Sequence, residues 1–347
     1  MNAFFPPITA PDPSFRQRAE LRQSQLTKPP GSLGLLESLA IRLAAMQRRD
    51  HPGIDHVHVS IFAADHGIAD EGVSAFPQVV TREMVKNFAA GGAAVNVLAR
   101  QVRARFEVVD VGMIQPVDFP GVLRHRAGDG TANFSRQAAM TAEQLDIAVA
   151  AGRLAVERAL AEGAELFIGG EMGIANTASA SAVAAALLRR PAIDITGAGT
   201  GLNVEQISHK AAVIAGALEL HGDDLNQPLE ILRRLGGFEI AALMSAYLHA
   251  AHHGLPVMVD GFICGVAALL AAAIDPACLA WFFHGHRSEE KGHKIVLDAL
   301  VAEPILNLHL RLGEASGAVM AVPILQMACR LHNEMATFAQ ANITTTG

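Results

Sequence analysis

The sequence predicts an α/β protein: a parallel, Rossmann-like sheet domain flanked by helices, plus a small helical domain formed by the N- and C-terminal segments. Three observations carry that expectation. Apolar runs of strand length alternate with helix-length segments between about residues 56 and 286, the pattern of crossover units and a parallel sheet. Successive runs end in small, polar or acidic clusters, and ligands of open parallel sheets sit beyond the carboxyl ends of the strands. After about residue 300 the alternation stops and an amphipathic helical pattern takes over. The expected division is residues 1–50 with 303–347 for the helical domain and 51–302 for the sheet domain carrying the crevice.

Taken in chain order, residues 14 to 50 read as helical, broken at Lys28-Pro29-Pro30-Gly31-Ser32-Leu33-Gly34. Beyond the break Leu36, Leu39, Ala40, Leu43 and Met46 recur at helical spacing and give one buried face. Pro52 and Gly53 interrupt, and a strand pattern follows over His56 to Ala63. The runs and their endings are then Phe62-Ala63-Ala64 into Asp65-His66-Gly67, Phe106 to Val109 into Asp110-Val111-Gly112, and Leu166-Phe167-Ile168 into Gly169-Gly170-Glu171. Val257-Met258-Val259 runs into Asp260-Gly261, and Leu279 to Phe283 into His284-Gly285-His286. Thr141 with Gln144 forms a capping box for a helix to about Gly163, and Asn203 with Gln206 opens one to about Leu220. Pro304 to Leu312 reads as an irregular apolar run without a strand, and a last helix is expected over about Val322 to Ala339.

Composition removes several function classes. Of the 347 residues, 51% are apolar and 18% charged, so a large core is buried and disorder is excluded. A net charge of -7 argues against a nucleic-acid partner, which would select a basic face. The longest apolar stretch, Phe262 to Ile274, falls well short of the ~20 residues of a membrane span and reads as a core helix. Pro6, Pro7, Pro11, Asp12 and Pro13 stand where a signal peptide would need a basic start and an apolar run, so the expected location is cytoplasmic. Cys264, Cys278 and Cys329 are far apart, without a CxxC pair, and read as buried thiols in a reducing compartment.

Three short motifs hold candidate chemistry. Ile195 to Asn203 is rich in glycine and opens a helix, so its free amides, with Lys210 two turns on, suit a phosphate. A plain glycine-rich connection would use the same residues. Gly169 to Thr177 is a second strand-to-helix turn in which Gly173, Asn176 and Thr177 could meet the same anion. Glu171 would repel a phosphate, so it faces a hydroxyl, a ribose or a ring N–H, or else stabilises the dipole of the next helix. Gly313-Glu314-Ala315-Ser316-Gly317 sets a carboxylate between glycines. Partial burial would raise such a group from its reference pKa of about 4.3 toward neutrality, as a general base requires, though a helix start also accommodates a glutamate. Of His284, His286 and His293, the His284-Gly285-His286 pair cannot share a helical face. Of His249, His252 and His253, the i, i+4 pair His249 and His253 could chelate, though an exposed helix end explains them as well, and neither HExxH nor a paired-Cys spacing occurs. Neither GxSxG nor GxxxxGK[ST] occurs.

Read jointly, the motifs resemble one family. Lys28 to Gly34, Ala64-Asp65-His66-Gly67, Asp70 to Val73, Gly169 to Gly173 with Asn176-Thr177, and Lys210 after the glycine loop occur in order. Gly236-Gly237-Phe238, Leu255-Pro256 with Asp260-Gly261-Phe262, Glu290-Lys291-Gly292 and Arg311-Leu312-Gly313-Glu314 follow. The chain, from about residue 15 to 343, is similar to the nicotinate-nucleotide–dimethylbenzimidazole phosphoribosyltransferases of cobalamin lower-ligand assembly. The resemblance implies transfer of 5-phosphoribose from nicotinate mononucleotide to 5,6-dimethylbenzimidazole, giving α-ribazole 5′-phosphate and nicotinate with inversion at the anomeric carbon. It implies a homodimer with small-molecule substrates only, and neither cofactor nor metal. The general base maps onto Glu314 and a second acid near the incoming base onto Glu171. Substrate-binding positions fall on Phe76, Met84, Met172, Gly173, Asn176, Thr177, Gly199, Gly201 and Lys210. Nicotinate bound through its ring nitrogen is a cationic leaving group and departs neutral at that nitrogen, so no metal is needed to carry charge away.

Phe76 and Met84 depart from the small or amide side chains that some members place against the incoming base. They reshape that end of the site, and another azole, a purine or a phenol becomes an alternative acceptor to dimethylbenzimidazole. Two further readings stay distinct: a non-catalytic nucleotide-binding paralogue that keeps the phosphate turns, and a metal-dependent hydrolase built on the histidines.

Overall fold

The computed structural model describes residues 6–116 and 118–344. Its centre is a sheet of seven strands among the described residues: β1 (Val57–Ala64), β2 (Arg105–Gly112), β3 (Val122–Arg124), β4 (Leu166–Met172), β5 (Val257–Val259), β6 (Phe282–His286) and β7 (Pro304–Leu306). The spatial order is β3-β2-β1-β4-β5-β6-β7, with every pairing parallel. All eight residues of β1 and all seven of β4 are buried, as strands covered by helices on both faces must be. The order of connection reverses between β1 and β4, so the loops at their carboxyl ends diverge and leave a crevice. Register aligns the ends: Phe62 pairs with Glu171 and Val259 with His284.

The helices that matter for the site are α1 (Pro13–Gln25), α2 (Leu35–Gln47), α3 (Val79–Ala90), α4 (Ala142–Ala161), α5 (Asn176–Leu188), α6 (Val204–His221), α7 (Phe238–His252), α8 (Phe262–Ile274) and α9 (Ser316–Glu334). Both capping boxes form: Thr141 and Gln144 exchange side-chain to backbone bonds at 3.2 and 2.9 Å, and Asn203 and Gln206 do so at 2.9 Å each. α7 and α8 are nearly wholly buried, and α7 lies so close to α4 that a Cβ on Gly152 would collide with the Ala242 carbonyl. The core is largely alanine, leucine, valine and isoleucine, and the three cysteines are free and buried within it. No helix among the described residues is long and apolar enough to cross a membrane. The two ends of the chain meet: Arg22 of α1 donates to the His332 and Asn333 carbonyls at the end of α9, and α2 packs on α9.

Three expectations need correction. Leu279 to Trp281 is not strand but part of a 3-10 turn, Pro276–Trp281, because the Asp275 side chain accepts the Ala277 N–H at 3.0 Å and Pro276 starts the turn. β6 therefore begins at Phe282, and His284 and His286 lie inside the strand rather than after it. Pro304–Leu306, read as irregular, adds a strand at the sheet edge, where His286 pairs with Leu306. The last helix starts at Ser316 instead of about Val322 and ends at Glu334, passing through Pro323. Its start is hidden because Glu314 and Ala315 adopt left-handed backbone, with φ of 61° and 63°, which neither residue type signals.

Candidate active site

Beyond the carboxyl ends of β4 and β5 lies a cavity of about 410 Å³. Its walls come from α3 and the segment before it, the β4–α5 turn, the loop at Gly199-Thr200, the β5–α8 turn, Ser288 and Glu290 after β6, and the stretch Arg311 to Glu314 before α9. The β4–α5 turn, the Gly199 loop, Asp260-Gly261 and Gly313-Glu314 are strand-end clusters or glycine motifs of the sequence; the α3 wall is neither.

The floor is Glu171. β4 carries it to the sheet's edge, and Gly173 follows because a Cβ there would strike the Ala64 carbonyl of β1. Glu171 is buried, and Asn176 Nδ2 at the head of α5 donates to its Oε2. Its Oε1 accepts the Glu314 backbone N–H at 3.3 Å. Burial pushes this carboxyl well above the usual range, overriding the Glu314 amide, and the Asp260 and Glu239 charges push the same way. Its position on the strand, five residues before α5, sets aside the reading in which it serves mainly as the first-turn acid of that helix.

The lid over this floor is Gly313-Glu314-Ala315. A Cβ on Gly313, whose φ is 81°, would come within 2.5 Å of Glu171 Oε1, so only glycine lets the chain pass this close. Glu314 and Ala315 continue in the left-handed region at a cost of roughly 1–2 kcal/mol each, a strain that surrounding structure must impose. Glu314 is 7% exposed, and no side chain among the described residues donates a hydrogen bond to its carboxylate. Burial first, and the charge of Asp260 second, raise its pKa to about 7. Such a carboxyl titrates where a general base works best.

A second pole forms around Lys210, which is fully buried on α6. Its Nζ donates to Thr177 Oγ1 at 2.7 Å, and burial lowers its pKa to about 8 against the pull of Glu290. Gly199 closes over the pair, since a Cβ there would lie 2.8 Å from Thr177 Oγ1 and 3.4 Å from Lys210 Nζ. This end of the cavity thus sets a buried ammonium beside Thr177, with the Glu290 carboxyl facing it. Phe76, Val80, Met84 and Ile174 give the cavity an apolar wall. Thr81 Oγ1 accepts the Ile174 N–H at 3.0 Å and ties α3 to the β4–α5 turn. Phe76 remains 51% exposed at the rim.

Glu171, Met172, Gly173, Asn176, Thr177, Gly199, Phe76, Met84 and Glu314 therefore converge on one cavity. Lys210 reaches it through Thr177. Gly201 does not line it; that residue is exposed, and a Cβ on it would meet nothing. Asp260, Ser288, Glu290 and Arg311 line the cavity without having been singled out as site residues. Asp260, Glu290 and Arg311 stood inside the ordered motifs, which was the available signal. Among the described residues no group of three or more His, Cys, Asp or Glu is arranged to hold a metal ion. The imidazoles of His249 and His253 pack edge to face at 4.5 Å, and His293 Nδ1 accepts the Ser288 N–H at 2.8 Å.

Comparison with known proteins bears on this geometry. A family described as "Phosphoribosyltransferase" matches residues 8–343. A protein of Azotobacter vinelandii named nicotinate-nucleotide–dimethylbenzimidazole phosphoribosyltransferase is 58% identical over 94% of this chain and 93% of its own. One of Xanthomonas euvesicatoria with the same name is 55% identical over 98% of both. The crystal structure of a Thermus thermophilus enzyme of that name superposes with a TM-score of 0.91 at 44% identity, covering 96% of this chain and all of the other.

Proposed function

The chain belongs to the nicotinate-nucleotide–dimethylbenzimidazole phosphoribosyltransferase family, and on that premise we propose how its residues carry 5-phosphoribose from nicotinate mononucleotide to 5,6-dimethylbenzimidazole. The imine nitrogen of the incoming base attacks C1′ from the face opposite nicotinate. The C1′–N bond to nicotinate breaks with its electron pair returning to the pyridinium nitrogen, so the leaving group departs without a proton or a metal. The new azolium then gives its N–H proton to Glu314, and α-ribazole 5′-phosphate is formed with inversion.

In this reading Glu171, its pKa raised by burial, orients the incoming base. The phosphate lies against the β4–α5 turn and the Gly199 loop, with Lys210 and Thr177 behind them. Carboxylate charge near C1′ favours the oxocarbenium-like ribose of the transition state. The observation that carries the proposal is Glu314, a buried carboxyl with a pKa of about 7 seated over Glu171 in a cavity whose Thr177 leads to the buried ammonium of Lys210. Phe76 and Met84 support a second acceptor class, since a bulkier apolar wall also accommodates other azoles, purines or phenols. The proposal includes a helical unit of residues 1–50 and 303–347 that carries Glu314, a homodimer, and a cytoplasmic setting.

The test is nicotinate release from nicotinate mononucleotide against a panel of azoles and phenols, with and without a chelator. Release that needs an azole and ignores the chelator supports the transfer. Binding of the nucleotide with no turnover of any acceptor would make the protein a sensor, and loss of activity to the chelator would reinstate a metal. Sedimentation equilibrium tests the dimer.

A further inference from the structure

We propose that Asp260 is a positioning residue for Glu314: its carboxylate clamps the first turn of α9, and its charge faces the Glu314 side chain across the cavity. Asp260 follows β5 directly and is 1% exposed. Its Oδ1 accepts the Ala318 N–H of α9 at 2.7 Å, while its Oδ2 is buried without a partner. Ala318 comes within reach because two glycines admit α9 to the sheet at backbone contact. A Cβ on Gly285 of β6 would sit 2.6 Å from Ala318 Cα, and one on Gly317 would overlap the His286 ring. On the other side a Cβ on Gly170 of β4 would meet Ala315 N at 2.9 Å.

The left-handed pair Glu314-Ala315 is thus held at three points: Glu171 on the Glu314 amide, Gly170 against Ala315, and Asp260 on Ala318. Strained backbone persists only where it is over-determined in this way. The clamp also sorts the charges around Glu314. Glu171 from β4 is pushed well above the usual carboxylate range by burial. Lys210 of α6 and Arg311 act on Glu290, which burial pushes up and those cations pull down. His286 of β6, 3.5 Å from Asp260 Oδ1, is raised by that carboxylate despite burial and offsets part of its charge. Asp260 is left as the carboxylate opposing ionisation of Glu314.

The inference rests on Glu314 as the base, and the experiment separates the two. kcat/KM is measured against pH for the full chain and its E314Q, D260N and D260A forms, with nicotinate mononucleotide and dimethylbenzimidazole, and nucleotide affinity by calorimetry. Asn keeps an oxygen to accept the Ala318 N–H but loses the charge; Ala loses both. D260N should move the acidic limb of the profile down by about one pH unit. D260A should lower plateau kcat roughly 3- to 10-fold below D260N, the worth of one hydrogen bond to a neutral acceptor, with nucleotide KM little changed. An acidic limb unmoved in D260N overturns the electrostatic role, and equal plateau kcat in D260N and D260A overturns the clamp. If D260A does not fold, D260N still decides: a plateau kcat reduced as much as in E314Q would mean the acceptor oxygen was not what mattered. A parental limb retained in E314Q sinks the base assignment itself, whatever Asp260 does.

Discussion

In the proposed reading Glu314 carries the proton transfer, and its ionisation couples activity to stability. Its pKa of about 7 lies above the ~4.3 of an unfolded glutamate, so the native state holds the proton more tightly. That contribution is fully present below about pH 4.3 and is lost as pH rises through 7, where the buried group must ionise. Replacing Glu314 with Gln should therefore lower kcat by about two orders of magnitude or more while nucleotide affinity stays near parental. The same variant should outlast the parent in urea by about 1–3 kcal/mol at pH 8 and match it at pH 4. Equal midpoints at both values would mean that the carboxylate is better solvated than its burial indicates. Phe76 supports a different split: half exposed at the rim, it gains most when an aromatic base stacks on it. F76A should raise KM for the base about fivefold, the ~1 kcal/mol of an aromatic pair, and leave that for nicotinate mononucleotide alone. Both residues were legible as glycine-flanked or pattern-breaking positions. Asp260 was visible as a strand-end acid, but its grip on Ala318 depends on a helix start that no local signal marks.

The elements show the same division between what short-range chemistry writes down and what packing imposes. The capping boxes at Thr141 and Asn203 were readable because both partners lie within one turn. β7 was not, since three residues cannot display alternation, and its strand identity comes only from the free edge of β6. The bond between β2 and α4 belongs to this second kind. Glu107 accepts from Arg158 Nε and Nη2, each at 2.8 Å, and from Ser60 Oγ of β1 at 2.8 Å. Burial opposes its ionisation, but the His58 and Arg158 partners win and bring its pKa to about 2. A carboxyl depressed in this way stabilises the fold above the unfolded value of ~4.3, and that contribution is lost as pH falls through 2. E107Q should cost about 2 kcal/mol at pH 7, a difference that narrows between pH 4 and pH 2 in denaturant titrations. A deficit that stays constant over that interval would assign the loss to packing rather than charge.

At the scale of the molecule, the cavity exists only when stretches far apart in sequence are assembled. Phe76 to Met84, Glu171 to Thr177, Asp260 to Cys264 and Arg311 to Glu314 all face the same space. The reversal of strand order beside β1 opens that space, and the return of the chain's end as α9 closes it. An unfolded chain therefore has no equivalent site, and nucleotide binding must act as a linked stabiliser of the whole fold. At about 100 times its Kd, nicotinate mononucleotide should add ~2.7 kcal/mol, seen as a melting temperature that climbs with the logarithm of ligand concentration. If α9 is tied to the sheet through the ligand, amide exchange at residues 313–318 should slow along with the strands rather than independently of them. Faster exchange in that turn while the sheet is protected would mean that the phosphate end alone holds the nucleotide and that Glu314 closes over the ribose only once the second substrate arrives.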